Sequence, residues 1–227
     1  MRKVAIRSLN VGKPIELPFG NKRATTGILK KPISKPVYLT TVNFNGDGQG
    51  DLIHHGGIDK AVCAYPAEHY SYWEEQLGRA LPYGAFGENL TLEGLTEIDV
   101  CIGDSFQIGE AIVQVSQPRQ PCYKLGLLYE RKDMPLLVQN SGFTGFYFRV
   151  LQEGMVSPSD ELIRLHSQEK AISVAEANRI MHHDKSDLNA VQRIIEVNEL
   201  SANWRKTFER RLEGNEVDTR ERLSGER

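Results

Sequence analysis

Cys122 has the most reactive setting of the three cysteines in this sequence. Prolines of the segment QPRQPC precede it, and prolines end strands and hold the chain extended. Arg119 and Lys124 are close in the sequence, and neighbouring cations favour the thiolate, which is the form of cysteine that reacts and binds metals. We therefore predict an exposed, rigid loop with a low thiol pKa at Cys122. The alternative is a structural cysteine packed under Tyr123.

The other two cysteines have ordinary structural settings. Cys63 lies in the apolar run AVCAY and Cys101 precedes a turn into a strand, so both are interpreted as buried small hydrophobic residues. Three cysteines are too few, and odd in number, for a disulfide framework. A reducing, cytoplasmic location is therefore the simplest expectation.

The segment HHGGIDK, residues 54–60, is the second candidate cluster. Metal binding by His54 and His55 together is disfavoured, because adjacent side chains of an extended chain point in opposite directions and no zinc-type spacing is present. An anion site made from backbone N–H groups, one imidazole and the Lys60 ammonium fits the pattern better. A structural role for His54 and a solvated Lys60 form the alternative.

The segment GAFGENLT, residues 84–91, is the third candidate. Its glycines and the Asn89 amide indicate a loop that could hydrogen-bond a heterocycle or a phosphate. Glycine-rich loops are common, so this pattern alone is a weak signal.

The composition excludes several classes of protein. The chain has 227 residues, 40% hydrophobic and 26% charged, which is typical of a soluble protein with one main domain and an appendage. A formal net charge of −2 gives no basic excess, so a nucleic-acid-binding protein is disfavoured. No segment approaches the roughly 18 apolar residues of a membrane span, and the N-terminus does not resemble a signal peptide. We expect no nucleic-acid or membrane partner.

Short apolar runs separated by turn residues predict β structure up to about residue 166. Strands are expected at residues 4–11, 36–44, 60–65, 145–152 and 161–165, with a hairpin at 104–116. Helices are expected at residues 67–77 and 123–138, the second interrupted near Pro135. Many short strands favour a closed barrel or a sandwich, because closure removes exposed strand edges.

The pattern after residue 167 is helical. Ser173 begins a capping-box pattern and Asp187 is a second candidate N-cap. Trp204 and Phe208 lie on one face of a third amphipathic helix. Three short helices make a unit too small to be very stable alone, so it is expected to pack on the barrel or on a partner. The polar sequence from residue 214 onward predicts a disordered tail.

Three segments, taken together and in order, resemble the MOSC domain, which is named for the C-terminal domain of molybdenum cofactor sulfurase. They are DLIHHGGIDKAV, GAFGENLTLEGL and VSQPRQPCYKLG, the last followed by GFTGFYFRVLQEG. The helical end, SVAEANRIMHHD with ELSANWRKTFERRL, resembles the three-helix domain of the bacterial hydroxylaminopurine-resistance (YiiM-type) family. The resemblance covers nearly all of residues 1–213.

The resemblance implies a mainly β fold with added helices. A MOSC-type β-barrel would span residues 1–167, a three-helix domain 168–213 and the disordered tail 214–227. The barrel would hold the molybdenum cofactor (molybdopterin), with Cys122 as the molybdenum ligand and His55 and Lys60 as the neighbouring pair. Arg119 and Asn89 would be further cofactor contacts, and His54 is a candidate contact from the anion-site pattern.

The resemblance also implies an activity. The enzyme would reduce small N-hydroxylated bases, such as hydroxylaminopurine, by R-NHOH + 2 e⁻ + 2 H⁺ → R-NH₂ + H₂O, and so detoxify base analogues. His55 would relay a proton. No flavin or iron–sulfur motif is visible, so a separate reductase would supply the electrons. The helical domain would dock that reductase, cap the pocket or support a homodimer.

Three other functions fit the residues. A cofactor or sulfur carrier would use Cys122 as a persulfide and would need no substrate cavity. A thiol hydrolase or transferase would pair Cys122 with His55 as base. A binding module would explain the barrel but not the cysteine flanked by cations.

Overall fold

A computed structural model describes residues 4–50, 56–168, 172–215 and 217–225. Its strands are β1 Val4–Val11, β2 Ile15–Phe19, β3 Lys22–Thr26, β4 Lys31–Pro32, β5 Val37–Leu39, β6 Val62–Pro66, β7 Leu90–Glu93, β8 Ser105–Ile108, β9 Ala111–Pro118, β10 Phe146–Gln152, β11 Gly154–Val156 and β12 Glu161–His166. Its α-helices are α1 Tyr70–Leu77, α2 Tyr123–Tyr129, α3 Met134–Ser141, α4 Val174–Asn178, α5 Leu188–Ile195, α6 Ala202–Leu212 and α7 Arg220–Ser224.

Seven strands form a closed barrel in the order β12-β8-β9-β10-β6-β7-β1. Strand β1 closes it by pairing with both β7 and β12, through Ala5↔Glu93 and Ala5↔Glu161. The β6–β7 pair is parallel and the other barrel pairs are antiparallel. Closure leaves no open edge among these strands, which is the physical reason that many short strands form a barrel.

The barrel interior is filled by apolar side chains that alternate with outward-facing ones along the strands. Phe106, Phe146 and Phe148 are fully buried, and their rings make edge-to-face contacts with centroids 5.3 to 5.9 Å apart. The predicted barrel-or-sandwich class and the hairpin at 104–116 are thereby confirmed. The barrel is a packed core, so a ligand site must lie at its rim.

Helices α1, α2 and α3 pack a second apolar cluster against the barrel, around Tyr65, Trp73 and Phe86. The Tyr65 and Phe86 rings stack with centroids 4.3 Å apart. The expected break near Pro135 occurs earlier, between α2 and α3, because proline favours the first turn of a helix and stands there in α3.

The C-terminal helices form the predicted three-helix unit. The Ser173 side chain accepts a hydrogen bond from the backbone N–H of Glu176 at 3.0 Å, and Asp187 caps α5 in the same way through Ala190 at 2.9 Å. Both predicted N-caps are confirmed. Trp204 and Phe208 of α6 are fully buried in the same apolar cluster as the barrel core, so the unit packs on the barrel.

Polar contacts fix the helical unit to the barrel near residue 60. The Asp59 carboxylate accepts the backbone N–H of Ala202 at 3.1 Å and pairs with Arg149 at 2.8 Å. The Ser116 carbonyl accepts the backbone N–H of Ser201 at 3.0 Å. The turn that carries Lys60 is therefore held by both domains.

The expected disordered tail is wrong for residues 217–225. Helix α7 forms there, and the Arg222 guanidinium donates a hydrogen bond to the Pro121 carbonyl. Gly225 lies so close to the Phe19 and Tyr123 rings that an added Cβ would be 2.6 Å from Phe19. The polar composition predicted that this segment could not form a hydrophobic core of its own. The segment is instead ordered by packing against the surface of the barrel domain. The domain limits at residues 167 and 213 stay predictions.

None of the helices described for residues 4–50, 56–168, 172–215 and 217–225 has the length and apolar character of a membrane span.

Replacing Ser173 by Ala should lower the free energy of unfolding by about 1 kcal/mol, because α4 loses its capping oxygen. Ser173→Asp keeps a capping acceptor and should retain most of the wild-type stability. Urea unfolding followed by tryptophan fluorescence measures both. Equal losses in the two variants would show that the cap does not contribute.

Candidate functional site

Cys122 lies where β9 has ended and α2 begins. It is the N-cap residue of α2, with the extended backbone (φ −130°, ψ 168°) that is typical of an N-cap. The predicted exposure is wrong, because the residue is only 7% exposed. The segment does not project into solvent but lines the floor of two cavities.

The environment of Cys122 also reverses the predicted direction of its pKa. Burial raises the pKa of the thiol above its usual value, since a thiolate loses hydration. The backbone N–H of Lys124 and the charges of Arg119, Lys124 and Arg222 oppose that effect without overcoming it. The sequence identified the nearby cations correctly but could not show the burial.

Arg119 reaches the same cavity from the end of β9. Its backbone N–H donates to the Gly145 carbonyl at 3.0 Å, and its Nη2 donates to the Phe86 carbonyl at 2.8 Å. The residue is only 6% exposed, and its Nη1 has no hydrogen-bond partner among the described residues. A buried guanidinium with an unsatisfied donor favours an anionic or carbonyl ligand.

Glu88 orders the loop that receives Arg119, a role that the sequence analysis missed. Its buried carboxylate accepts the backbone N–H groups of Gly84 and Phe86, each at 3.0 Å, and the Thr91 hydroxyl at 2.8 Å. Burial raises the pKa of Glu88. A buried carboxylate with several donors fixes backbone geometry, so Glu88 positions the Phe86 carbonyl that orients Arg119.

Asn89, predicted as a cofactor contact, braces the cavity wall. Its Nδ2 donates to Asp47 at 2.8 Å and to the Asn10 carbonyl at 3.2 Å, and its Oδ1 accepts the Cys63 N–H at 3.0 Å. It lines the smaller cavity, but its amide already has three protein partners. Its direct contact with a cofactor stays a prediction.

Lys60 is the last residue of a short 3₁₀ turn, Ile58–Lys60. It was expected to begin a strand, but that strand begins at Val62. Gly57 enters that turn with φ 98°, a conformation that favours glycine. Lys60 is 8% exposed, so the alternative of a solvated lysine is wrong. A buried ammonium at the cavity is the cation that an anion site requires. His54 and His55 lie outside the described residues.

Two cavities meet at Cys122. The smaller, of about 80 Å³, lies against the barrel and is lined in part by Arg119 and Asn89. The larger, of about 660 Å³, lies between the barrel, the helical unit and the C-terminal segment. Both include Lys60, Cys122 and Tyr147 in their walls. The structure thus brings together Cys122, Lys60, Arg119 and Asn89, the predicted site residues that it describes.

The predictions for the other two cysteines differ in how they compare with the structure. Cys63 is buried in β6, as predicted, and burial raises its pKa to about 11. It also lines the smaller cavity, which its apolar sequence context did not indicate. Cys101 is only partly buried, so its predicted full burial is wrong.

His182 contributes to the larger cavity from a π-helical turn, Arg179–His183. Its ring stands edge-on to Trp204 at 6.3 Å, and its buried Nε2 has no partner among the described residues. Burial, followed by the charge of Arg222, lowers its pKa to about 3. The π turn that directs His182 inward leaves no periodic signal in the sequence, so sequence analysis could not identify it.

Comparison with known proteins assigns both parts of the chain. Residues 51–163 match the MOSC domain family, and residues 172–215 match the YiiM-like, 3-alpha helix domain. The protein named YflK from Bacillus subtilis is 56% identical over 206 residues, covering 91% of this chain and 93% of that protein. Protein YiiM from Escherichia coli is 39% identical over 218 residues, covering 94% and 96%.

A solved structure has the same arrangement. The crystal structure of YiiM from Geobacillus stearothermophilus is similar with a TM-score of 0.79 and 44% identity, covering 92% of this chain and 99% of that one. A protein named reductase from Gibberella moniliformis is 29% identical over 169 residues, which are 73% of this chain but 30% of that protein. The fold and the cysteine-centred cavity define a MOSC-domain protein. With its three-helix extension, the chain belongs to the YiiM-type family.

Replacing His182 by Gln should flatten the dependence of stability on pH below pH 6.5. In the unfolded chain the imidazole takes up a proton near its ordinary pKa, whereas in the folded protein it does so only near pH 3, so wild-type stability falls as the pH drops through this window. At pH 5 the wild type should have lost about 2 kcal/mol more than the variant, relative to pH 7.5.

Urea unfolding at the two pH values measures that difference. His183→Gln, at the exposed neighbouring position, is the control and should retain the wild-type decrease. Identical pH dependence in the wild type and His182→Gln would contradict a buried, neutral imidazole.

Proposed function

We propose that this protein binds the molybdenum cofactor at Cys122 and reduces small N-hydroxylated compounds, such as hydroxylaminopurine, to amines. The observation that carries the proposal is the convergence of a buried thiol, a buried Lys60 and a buried Arg119 with an unpartnered Nη1 around one cavity. Membership of the MOSC family supports it, because these residues lie in the matched domain.

The donor set fits the chemistry of that cofactor. Its metal is soft enough to be bound by a thiolate, and its pterin and phosphate present acceptors and negative charge. Cys122 would hold the metal, while Lys60 and Arg119 would hold the anionic and carbonyl groups. A bound metal would stabilise the thiolate and so offset the effect of burial on the pKa of Cys122.

When bound, the cofactor supplies the two-electron oxygen-transfer chemistry that protein side chains lack. The chain's own residues bind and orient. The Glu88-ordered loop fixes Arg119, and the Asp59–Arg149 pair fixes the turn of Lys60. His55 is proposed to deliver a proton to the departing oxygen, which leaves as water.

The larger cavity favours an enzyme over a carrier. A carrier of sulfur or cofactor needs the thiol but no substrate volume, whereas about 660 Å³ opens onto Cys122 here. The relative named reductase supports reduction as the reaction class. We propose that a separate reductase provides the electrons and that the protein acts in the cytoplasm.

Replacing Cys122 by Ser should sharply lower the molybdenum retained after purification and abolish the reduction of hydroxylaminopurine, because an alcohol is a far poorer ligand than a thiolate for this metal. Elemental analysis after expression in a cofactor-replete host measures the metal per chain. Cys101→Ser is the matched control and should keep the wild-type content. Equal metal and activity in Cys122→Ser and the wild type would remove the proposal.

Replacing Lys60 by Met should weaken cofactor retention about ten-fold while slowing turnover much less at saturating cofactor, since one charge-assisted contact is lost and the thiol remains. Pterin released by oxidation and measured by fluorescence reports retention. Lys31→Met, at an exposed site on β4, is the control. Unchanged pterin content in Lys60→Met would show that Lys60 does not hold the cofactor.

A further inference from the structure

The C-terminal segment, residues 217–225, covers one side of the Cys122 cavity. From helix α7, Arg222 Nη1 donates to the Pro121 carbonyl and Nη2 donates to Gln139 Oε1, each at 2.6 Å. Pro121 directly precedes Cys122. The guanidinium is thereby fixed at the rim of the cavity, beside the thiol.

Both acceptors of Arg222 are neutral. A guanidinium carries five N–H donors, and these two bonds use two of them. Burial lowers the pKa of Arg222, and the opposing contribution comes from Cys122. A partly buried cation that is held by neutral acceptors and faces a cavity is under-compensated in charge, which favours an anion in that cavity.

Arg222 interacts electrostatically with both Cys122 and His182, which stand on opposite domains. Lys60 and Lys185 also line this cavity. Two acidic residues line it as well, Asp218 and Glu221, but the Asp218 carboxylate pairs with Arg220 at 2.6 Å. Among the described lining residues, four cationic side chains, those of Lys60, Lys185, Arg211 and Arg222, therefore stand against two carboxylates.

We propose that Arg222 is a ligand-binding residue that takes a phosphate-type anion in the larger cavity beside Cys122, and that the C-terminal segment completes the binding site. The guanidinium fork presents parallel N–H donors, which suit a phosphate monoester. The anion site deepens the proposed function and rests on it for the role of Cys122 at the ligand. The ligand's phosphate would belong either to the cofactor or to a phosphorylated form of the substrate.

Alkylation of Cys122 in full-length, metal-free protein tests this site without any turnover. Anionic iodoacetate is compared with neutral iodoacetamide; in both reactions an Sγ–C bond forms, iodide leaves and the thiol proton passes to the buffer. The ratio of the two rates cancels changes in access and in thiolate fraction. Peptide mass spectrometry separates Cys122 from Cys63 and Cys101.

Arg222→Gln should lower the iodoacetate-to-iodoacetamide ratio at Cys122 at least about five-fold, the order expected for loss of one charge-assisted contact. Arg222→Lys, which keeps the charge, should retain most of the ratio even if the segment loosens. Arg210→Gln, at an exposed position of α6 outside the lining of both cavities, is the matched control and should equal the wild type. Inorganic phosphate should protect Cys122 from iodoacetate in the wild type and not in Arg222→Gln.

An unchanged ratio in Arg222→Gln, an equal fall in Arg210→Gln, or phosphate protection that survives in Arg222→Gln would overturn the proposal. None of these readouts needs molybdenum. The experiment can therefore reject the anion site at Arg222 while cofactor binding at Cys122 is retained, and it can support the anion site when cofactor binding is rejected.

Two further measurements separate the sources of the phosphate. Loss of pterin from Arg222→Gln, expressed in a cofactor-replete host, assigns the site to the cofactor. Retained pterin, with protection of wild-type Cys122 by adenosine 5′-monophosphate but not by adenosine, assigns it to the substrate. If Arg222→Gln retains its pterin and adenosine 5′-monophosphate does not protect wild-type Cys122, the proposal is also overturned.

Discussion

The concentration of buried positive charge around one buried thiol is the constraint on which the rest of this site depends. Lys60 and Arg119 are each less than a tenth exposed, and such burial of cations is costly unless an anion or several acceptors compensate it. The thiol provides that compensation only as a thiolate, which burial disfavours. A ligand that offers an anionic group to these cations and a metal to the thiolate matches both features, which is why a metal bound to a phosphorylated pterin is proposed for this pocket.

The surrounding fold serves to hold those charges in place. Closure of the barrel through β1 fixes the rim from which β9 delivers Arg119 and Cys122. The buried Glu88 carboxylate orders the loop that orients Arg119, and Asp59 ties the turn of Lys60 to both Arg149 and the helical unit. The three-helix unit is thus more than an appendage, since its contacts and the C-terminal segment complete the larger cavity.

The sequence was informative where the signal is local. Short apolar runs separated by turn residues predicted β1 and the hairpin of β8 and β9, and hydroxyl and carboxylate residues at helix starts predicted the caps Ser173 and Asp187. Ordered motifs predicted the family and grouped Cys122, Lys60, Arg119 and Asn89. Burial is a property of the whole fold, so the exposure and pKa direction of Cys122 were predicted wrongly. For the same reason, the roles of Glu88, His182 and Arg222, which depend on partners far away in the sequence, carried no signal in their own segments.

X-ray absorption at the molybdenum K-edge tests the central claim most directly, because it counts the sulfur atoms bound to the metal. The wild-type protein and Cys122→Ser would be compared after both are loaded by reconstitution with an excess of cofactor, so that each sample contains the metal. The account predicts one sulfur neighbour fewer in Cys122→Ser than in the wild type, with the sulfur atoms of the pterin unchanged. An equal number of sulfur neighbours in the two proteins would contradict ligation by Cys122, and with it the assignment of this cavity as the molybdenum site.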